Sequence, residues 1–190
     1  MSTPCATLDL EVPLDSSQEA RFAAFVAAHR DRAVRIAWRL TGEDQAVAEE
    51  VAQDAFVRAL RALPRFRDEA SLATWFHRIL VRQALNRRRW RGLRQRWGGL
   101  WGDASPLDER TDSAPRPVGD AALRARIAVA MDHLSPGQRA VFTLVHLEGF
   151  TVAEAAALVG CAEGTAKSHL HRALASLRAE LSQAREEYGT

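Results

Sequence analysis

The 190-residue chain has one lysine, one tyrosine, two cysteines and no long apolar run. Cys5 and Cys161 cannot make a disulfide framework, so the chain is expected to work in the reducing cytoplasm. A run of about 18 apolar residues is needed to span a membrane, and none occurs. The opening residues, MSTPCATLDLEVPLDSS, lack both a basic start and an apolar centre and are not expected to act as a secretory leader. Also missing are GxxxxGK[ST], HExxH, GxSxG and any cysteine pair with zinc spacing. No catalytic residue, cofactor, metal or small-molecule substrate is therefore expected. The histidines (His29, His77, His133, His146, His169 and His171) are scattered along the chain. On a helix His169 and His171 point about 200° apart and cannot share a metal ion. They are expected to be solvated or to face nucleic acid. Alternating apolar and polar residues, the mark of strands and hairpins, are not found either.

What remains is 47% hydrophobic and 26% charged, the composition of an ordinary soluble protein of one or two small domains. The net charge of +2 conceals a partition. Residues 1–16 carry −3, residues 17–97 carry +8, residues 98–120 carry −3, and residues 121–190 are neutral. Nearly all of the positive charge is arginine.

The same boundaries appear in the turn residues. GGLWGDASPLDERTDSAPRPVG, from Gly98 to Gly119, holds three of the seven prolines and four of the eleven glycines. It has no helical period and reads as a linker. Apolar spacing on the near side predicts helices from Ser16 to about Leu40, from about Asp44 to Leu63, and from Ser71 into the nineties. On the far side Ala121–His133 is a short helix. Ser135-Pro136-Gly137-Gln138 then combines an N-cap, a proline at N1 and a glutamine at N3 to open the next. Thr151 with Glu154 forms a capping box, Gly160 stops that helix, and a last one starts near Glu163. The expected fold is all-α, with two small helical domains joined by a flexible linker.

Two segments carry chemistry. VRQALNRRRWRGLRQR, starting at Val81, has seven arginines and no acid, more than a helix C-terminus needs for capping. Trp90 and Trp97 are interleaved with them, which suits a surface that tracks phosphates while aromatics touch sugars or bases. An acidic protein partner is the alternative. TVAEAAALVGCAEGTAKSHLHRALASLR has helix-turn-helix proportions, with small Ala155–Ala157 where two helices would cross. If Ala166, Leu170, Ala173 and Leu177 are buried, the opposite side offers Thr165, Lys167, Ser168, His171 and Arg172 to phosphates and base edges. Plain packing of two helices is the alternative here. Glu49, Glu50 and Asp54 are expected on a solvated helix face.

Longer motifs resemble a known family. Leu134-Ser135-Pro136-x-Gln138-Arg139, Glu148-Gly149-Phe150-Thr151-x-x-Glu154-x-Ala156 and Gly164-Thr165-Ala166-Lys167-Ser168 with Leu170-x-Arg172-Ala173 are similar to region 4 of extracytoplasmic-function (ECF) sigma factors. Ala48-Glu49-Glu50-Val51-x-Gln53-Asp54-x-Phe56 is similar to their region 2.2. Phe66-Arg67-Asp68-Glu69-Ala70-Ser71-Leu72-x-Thr74-Trp75-Phe76-x-Arg78-Ile79 is similar to region 2.3. The resemblance covers about residues 20–96 and 121–180 in the family's order.

It implies a sigma-2 domain over 17–97 and a sigma-4 domain over 121–185, separated by the linker 98–120 and preceded by a tail 1–16. It also implies core RNA polymerase (β′ clamp helices and β flap), promoter DNA and an anti-sigma factor as partners. Glu50, Gln53 and Asp54 would dock on the clamp helices. Asp68, Ser71, Thr74 and Trp75 would hold a flipped base of the −10 element. Arg82, Asn86 and Arg89 would lie along −10 DNA, with Arg87, Arg88 and Arg91 on phosphates. Thr165, Lys167, Ser168, His171 and Arg172 would read the −35 element. The family often carries Asn at the place of Arg82, Ser at that of Ala162 and Arg at that of His169, where the imidazole removes a permanent charge.

Overall fold

The computed structural model describes residues 16–42, 45–66, 70–98 and 120–188, with the side chains of 90–98, 120–125 and 183–188 excepted. The described residues are helical, without strands. The near-side helices are α1 (Ser16–Thr41), α2 (Gln45–Ala62) and α3 (Leu72–Gly98), with a single 3-10 turn, Leu63–Arg65, after α2. The far-side helices are α4 (Asp120–Asp132), α5 (Pro136–Phe142), α6 (Val152–Val159) and α7 (Glu163–Tyr188). The expected tail and nearly all of the linker lie outside the described residues, as do Asp44 and Asp68.

Helices α1, α2 and α3 pack on one another through Phe22, Ile36, Leu40, Val51, Phe56, Phe76 and Leu80. Phe76 is fully buried and stacks on Phe56 with ring centroids 4.3 Å apart. Helix α1 ends at Gly42, whose positive φ of +66° suits glycine. Pro64 follows α2 inside the 3-10 turn. Ser71 opens α3 by accepting the Thr74 amide at 3.1 Å.

In the far half α7 packs against α4, α5 and α6. Both expected capping boxes form. Ser135 Oγ accepts from the Gln138 amide while Gln138 accepts from the Ser135 amide, and Thr151 and Glu154 do the same. The Thr151 amide and then its hydroxyl, both donating to Glu154 Oε2, hold the Glu154 carboxyl below its usual range. Gly160 ends α6 in the left-handed region, φ +82°. One element departs from expectation. The helix opened by Ser135 does not run on as an α-helix but widens into a π turn, Thr143–Leu147. Behind it Gly149 takes φ +78°, and the Phe150 amide donates back to the Leu144 carbonyl at 2.9 Å.

The two halves do not stand apart. Ala140, Leu144, Ala155 and Leu158 of the far half belong to the same buried cluster as Ile36, Phe76 and Leu80 of the near half. Helices α5 and α6 lie on α3, and α5 with the π turn reaches α1. The short alanine run of α6 therefore serves two faces. Ala156 meets Ala166 of α7 as expected, while Ala155 meets the near half.

Candidate nucleic-acid interface

Helix α7 sorts its residues by side. Ala166, Ala173 and Leu177 are buried, whereas Thr165, Lys167, Ser168, His171 and Arg172 are exposed. Lys167, Ser168, His171 and Arg172 line one open hollow on the surface. Lys167 Nζ is tied to Glu163 at 2.8 Å, one helical turn back. Ser168 Oγ donates to the Gly164 carbonyl at 3.0 Å. His171 and Arg172 stand beside them on the same exposed side. Ala162, at the helix start, supplies no side-chain acceptor, and only its carbonyl enters the ladder, accepting from Ala166.

His169 corrects the sequence reading. It points between α5 and α7 rather than outward: a Cβ on Gly137 would lie 3.0 Å from its Nε2. Its Nδ1 is buried, with no partner among the described residues. His169 is half-buried and so stands apart from the exposed donors of α7. His77 is a second correction. It is 3% exposed, not solvated, and faces Phe150 edge-on at 5.4 Å. Burial, then Arg32 and His29, lower its pKa to about 4, with Glu148 opposing. His29 packs on Phe25, with ring centroids 4.3 Å apart.

On α3, Arg82, Asn86 and Arg89 are all exposed. Their i, i+4, i+7 spacing sets them on one face of the helix. Arg87 approaches Glu50 of α2 at 3.4 Å. Arg88 is turned inward, with Nη1 donating to the Leu40 carbonyl at 3.4 Å, where it caps the C-terminus of α1. Arg91 lies on α3, but its side chain is outside the described residues, as are those of Trp90 and Trp97. At the head of α3 the Ser71 and Thr74 hydroxyls are 2.9 Å apart. Trp75 is half-buried against Phe66, centroids 5.0 Å apart. Glu50, Gln53 and Asp54 share the exposed side of α2.

Sequence reasoning missed one cluster. The Glu148 carboxylate, 2% exposed, is held by three arginines of α1: Arg32 at 3.2 Å, Arg35 at 3.3 Å, and Arg39. Arg32 also donates to the Glu148 carbonyl at 2.9 Å, and its guanidinium lies 5.1 Å from the Phe150 ring centre. Nearby Arg139, 4% exposed, pairs with Asp132 at 3.0 Å and presses on Gly42. A Cβ at Gly42 would collide with the Arg139 guanidinium. The signal was present in the spacing: Arg32, Arg35 and Arg39 fall on one helix face at i, i+3, i+7.

Among the described residues no group of His, Cys, Asp or Glu is arranged to hold a metal ion, and no helix is long and apolar enough to cross a membrane. Comparison with known proteins is consistent for both halves. Residues 25–94 match the family model of sigma-70 region 2, and residues 124–177 match that of sigma-70 region 4. The ECF RNA polymerase sigma factor SigE of Mycolicibacterium smegmatis is 30% identical over 180 residues, 95% of this chain and 69% of that protein. SigL of Mycobacterium tuberculosis, also an ECF RNA polymerase sigma factor, is 34% identical over 173 residues, 88% of this chain and 95% of the relative. The sigma factor RpoE, solved with the anti-sigma factor NepR from Bartonella quintana, is 25% identical with a TM-score of 0.63. That likeness covers 85% of this chain and 97% of the other. CnrH, solved with the cytosolic domain of CnrY, gives a TM-score of 0.63 at 26% identity over 87% of this chain and 90% of its own.

Proposed function

We propose a division of labour from one premise: the chain belongs to the ECF sigma factors of the sigma-70 family, which direct RNA polymerase to initiate at particular promoters. In this division, residues 17–97 form the sigma-2 unit and residues 121–185 the sigma-4 unit, with 98–120 as the linker between them. The sigma-4 unit reads the −35 element through Thr165, Lys167, Ser168, His171 and Arg172, and contacts the polymerase β flap. The observation that carries this assignment is the sorting of α7, whose opposite side is buried while these five side chains face solvent together.

The sigma-2 unit docks on the β′ clamp helices through Glu50, Gln53 and Asp54, which share one exposed helix face. It follows −10 DNA with Arg82, Asn86 and Arg89, and meets phosphate with Arg87. Arg88 is better assigned to capping α1 than to phosphate, given its bond to the Leu40 carbonyl. Ser71, Thr74 and Trp75, at the head of α3, border a flipped −10 base, and unstacking that base costs a few kcal/mol. Asp68 and Arg91 keep the family's roles by motif alone. The chain acts in the cytoplasm without catalysing a reaction, and an anti-sigma factor restrains it, as NepR is bound to RpoE.

A free-standing helix-turn-helix regulator would explain α7 but not the acidic face of α2. The test mixes the chain with core RNA polymerase and promoter fragments, then maps transcript starts. Specific starts that need the chain are expected, and their absence would overturn the proposal. Glu50→Arg with Asp54→Arg is expected to weaken core binding at least tenfold, about 1.4 kcal/mol, with helix content unchanged by circular dichroism. Unaltered core affinity would remove the α2 face from the interface.

A further inference from the structure

Reading base edges requires α7 to be held at one rotation about its axis, and most of what holds it is apolar. Ala166 and Leu170 pack with Val141 and Ala156, and Ala173 and Leu177 pack with Ala130, Met131 and Leu134. At ~100° per residue these four gather within about 60° around the helix, opposite the reading side chains. Such a seam opposes separation but sets rotation weakly, because apolar burial has no direction. The polar ties act elsewhere. Lys167 is bonded to Glu163 and Ser168 to Gly164, both within α7 itself, and Ala162 offers no side-chain cap at its start. His133 of α4 meets Glu180 at 3.0 Å, about two turns beyond Arg172.

His169 stands about 70° off the centre of the seam, on the side of Arg172. Its ring reaches the first turn of α5. Nε2, Cε1 and Cδ2 lie 3.0, 3.2 and 3.4 Å from the place that a Cβ on Gly137 would take. The imidazole thus occupies room that the absent side chain leaves. Glycine is a poor helix former, and positive φ falls on Gly42, Gly149 and Gly160 rather than on Gly137. Close approach is what this glycine provides. The place is also rigid, since Gly137 follows Pro136 and lies inside the capping box that Ser135 and Gln138 close from both sides. The buried Nδ1 has no partner among the described residues, so the ring is held there by shape.

We propose that His169 is a positioning residue for −35 recognition: seated on Gly137, it stops α7 from rolling and fixes where Arg172 and its neighbours meet the DNA groove. The proposal rests on the assignment of α7 to the −35 element. A roll of about 20° carries a side-chain tip ~6 Å from the helix axis through about 2 Å. A hydrogen bond to a base edge does not survive that stretch. Contacts to phosphates, made by flexible side chains on a repeating backbone, do survive it. Loss of the seat therefore lowers discrimination more than it lowers affinity.

The test measures how tightly core RNA polymerase carrying the full chain binds two promoter fragments that differ only in a scrambled −35 element. The unaltered chain is expected to prefer the intact fragment. His169→Ala, which removes the ring, and Gly137→Val, which fills its place, should each cut that preference about tenfold and leave affinity for the scrambled fragment within about twofold. Gly137→Val combined with His169→Ala restores bulk from the other side of the contact and should recover the preference to within about threefold. Because the readout is a ratio of two fragments on one preparation, a smaller folded fraction does not imitate the effect. Unchanged preference in either single variant, or a combined variant no better than the single ones, overturns the seat. Equal binding of both fragments by the unaltered chain would instead overturn the −35 assignment, so the two failures are separate results.

Discussion

His77 lies where a positive charge is costly. Arg32 and His29 of α1 face it from one side, and Glu148 and Phe150 of the other half close it in. Its pKa falls from 6.5 to about 4, so the folded chain holds it neutral across the range where the unfolded chain takes up a proton. Stability from this residue is therefore complete above pH 6.5 and is lost as pH falls toward 4. The linkage amounts to about 2 kcal/mol by pH 5 and roughly 3 kcal/mol in full. Urea unfolding at pH 7.5 and pH 5.0 measures it, and His77→Phe should flatten the difference while keeping the ring contacts with Phe76 and Phe150. An unchanged slope in His77→Phe would assign the loss to another group. Nothing in the sequence distinguishes this histidine from the exposed His133 and His171. An imidazole suits water and ring stacking equally, and what decides is Phe150, which lies 73 positions further along the chain.

The helix ends were legible because their determinants are local. Ser135 and Gln138, or Thr151 and Glu154, are three residues apart and meet whenever a helix starts there. The exposed stripe of α7 was legible for the same reason, since its buried side is written in the spacing of Ala166, Ala173 and Leu177. The π turn was not. Leu144 and Val145 fit an α-helical apolar stripe as well as they fit a wider turn, and the contact of Glu148 with α1 just beyond the turn is not local in sequence. Arg172 carries the prediction proper to this element. Arg172→Ala is expected to reduce discrimination between the cognate −35 element and a scrambled one by about 1–3 kcal/mol, measured by competition with duplexes at fixed salt. Equal loss on both duplexes would make Arg172 a phosphate contact only.

At the scale of the whole molecule, periodicity names an apolar face but not what covers it. Leu144 suits a core of the far half alone, yet with Ala140, Ala155 and Leu158 it lies in one buried cluster with Ile36, Phe76 and Leu80. Two charged contacts flank that cluster: Glu148 on the arginines of α1, and Arg139 against Gly42 at the end of α1. Burial lowers the proton affinity of Arg139 while Asp132 offsets it, so the guanidinium stays charged and paired at the junction. Two small helical domains joined by a flexible linker would be expected to unfold in two independent steps. A shared core couples the halves, because neither can unfold without exposing apolar surface of the other. Urea unfolding followed by a fluorophore on α2 and by another on α7 is therefore expected to give coincident midpoints. In Glu148→Lys the midpoints should part, with the far half unfolding first because its own clusters are smaller. Separate midpoints in the unaltered chain would mean that the halves touch without stabilising each other, and the arginine stripe would then be no more than a solvated face.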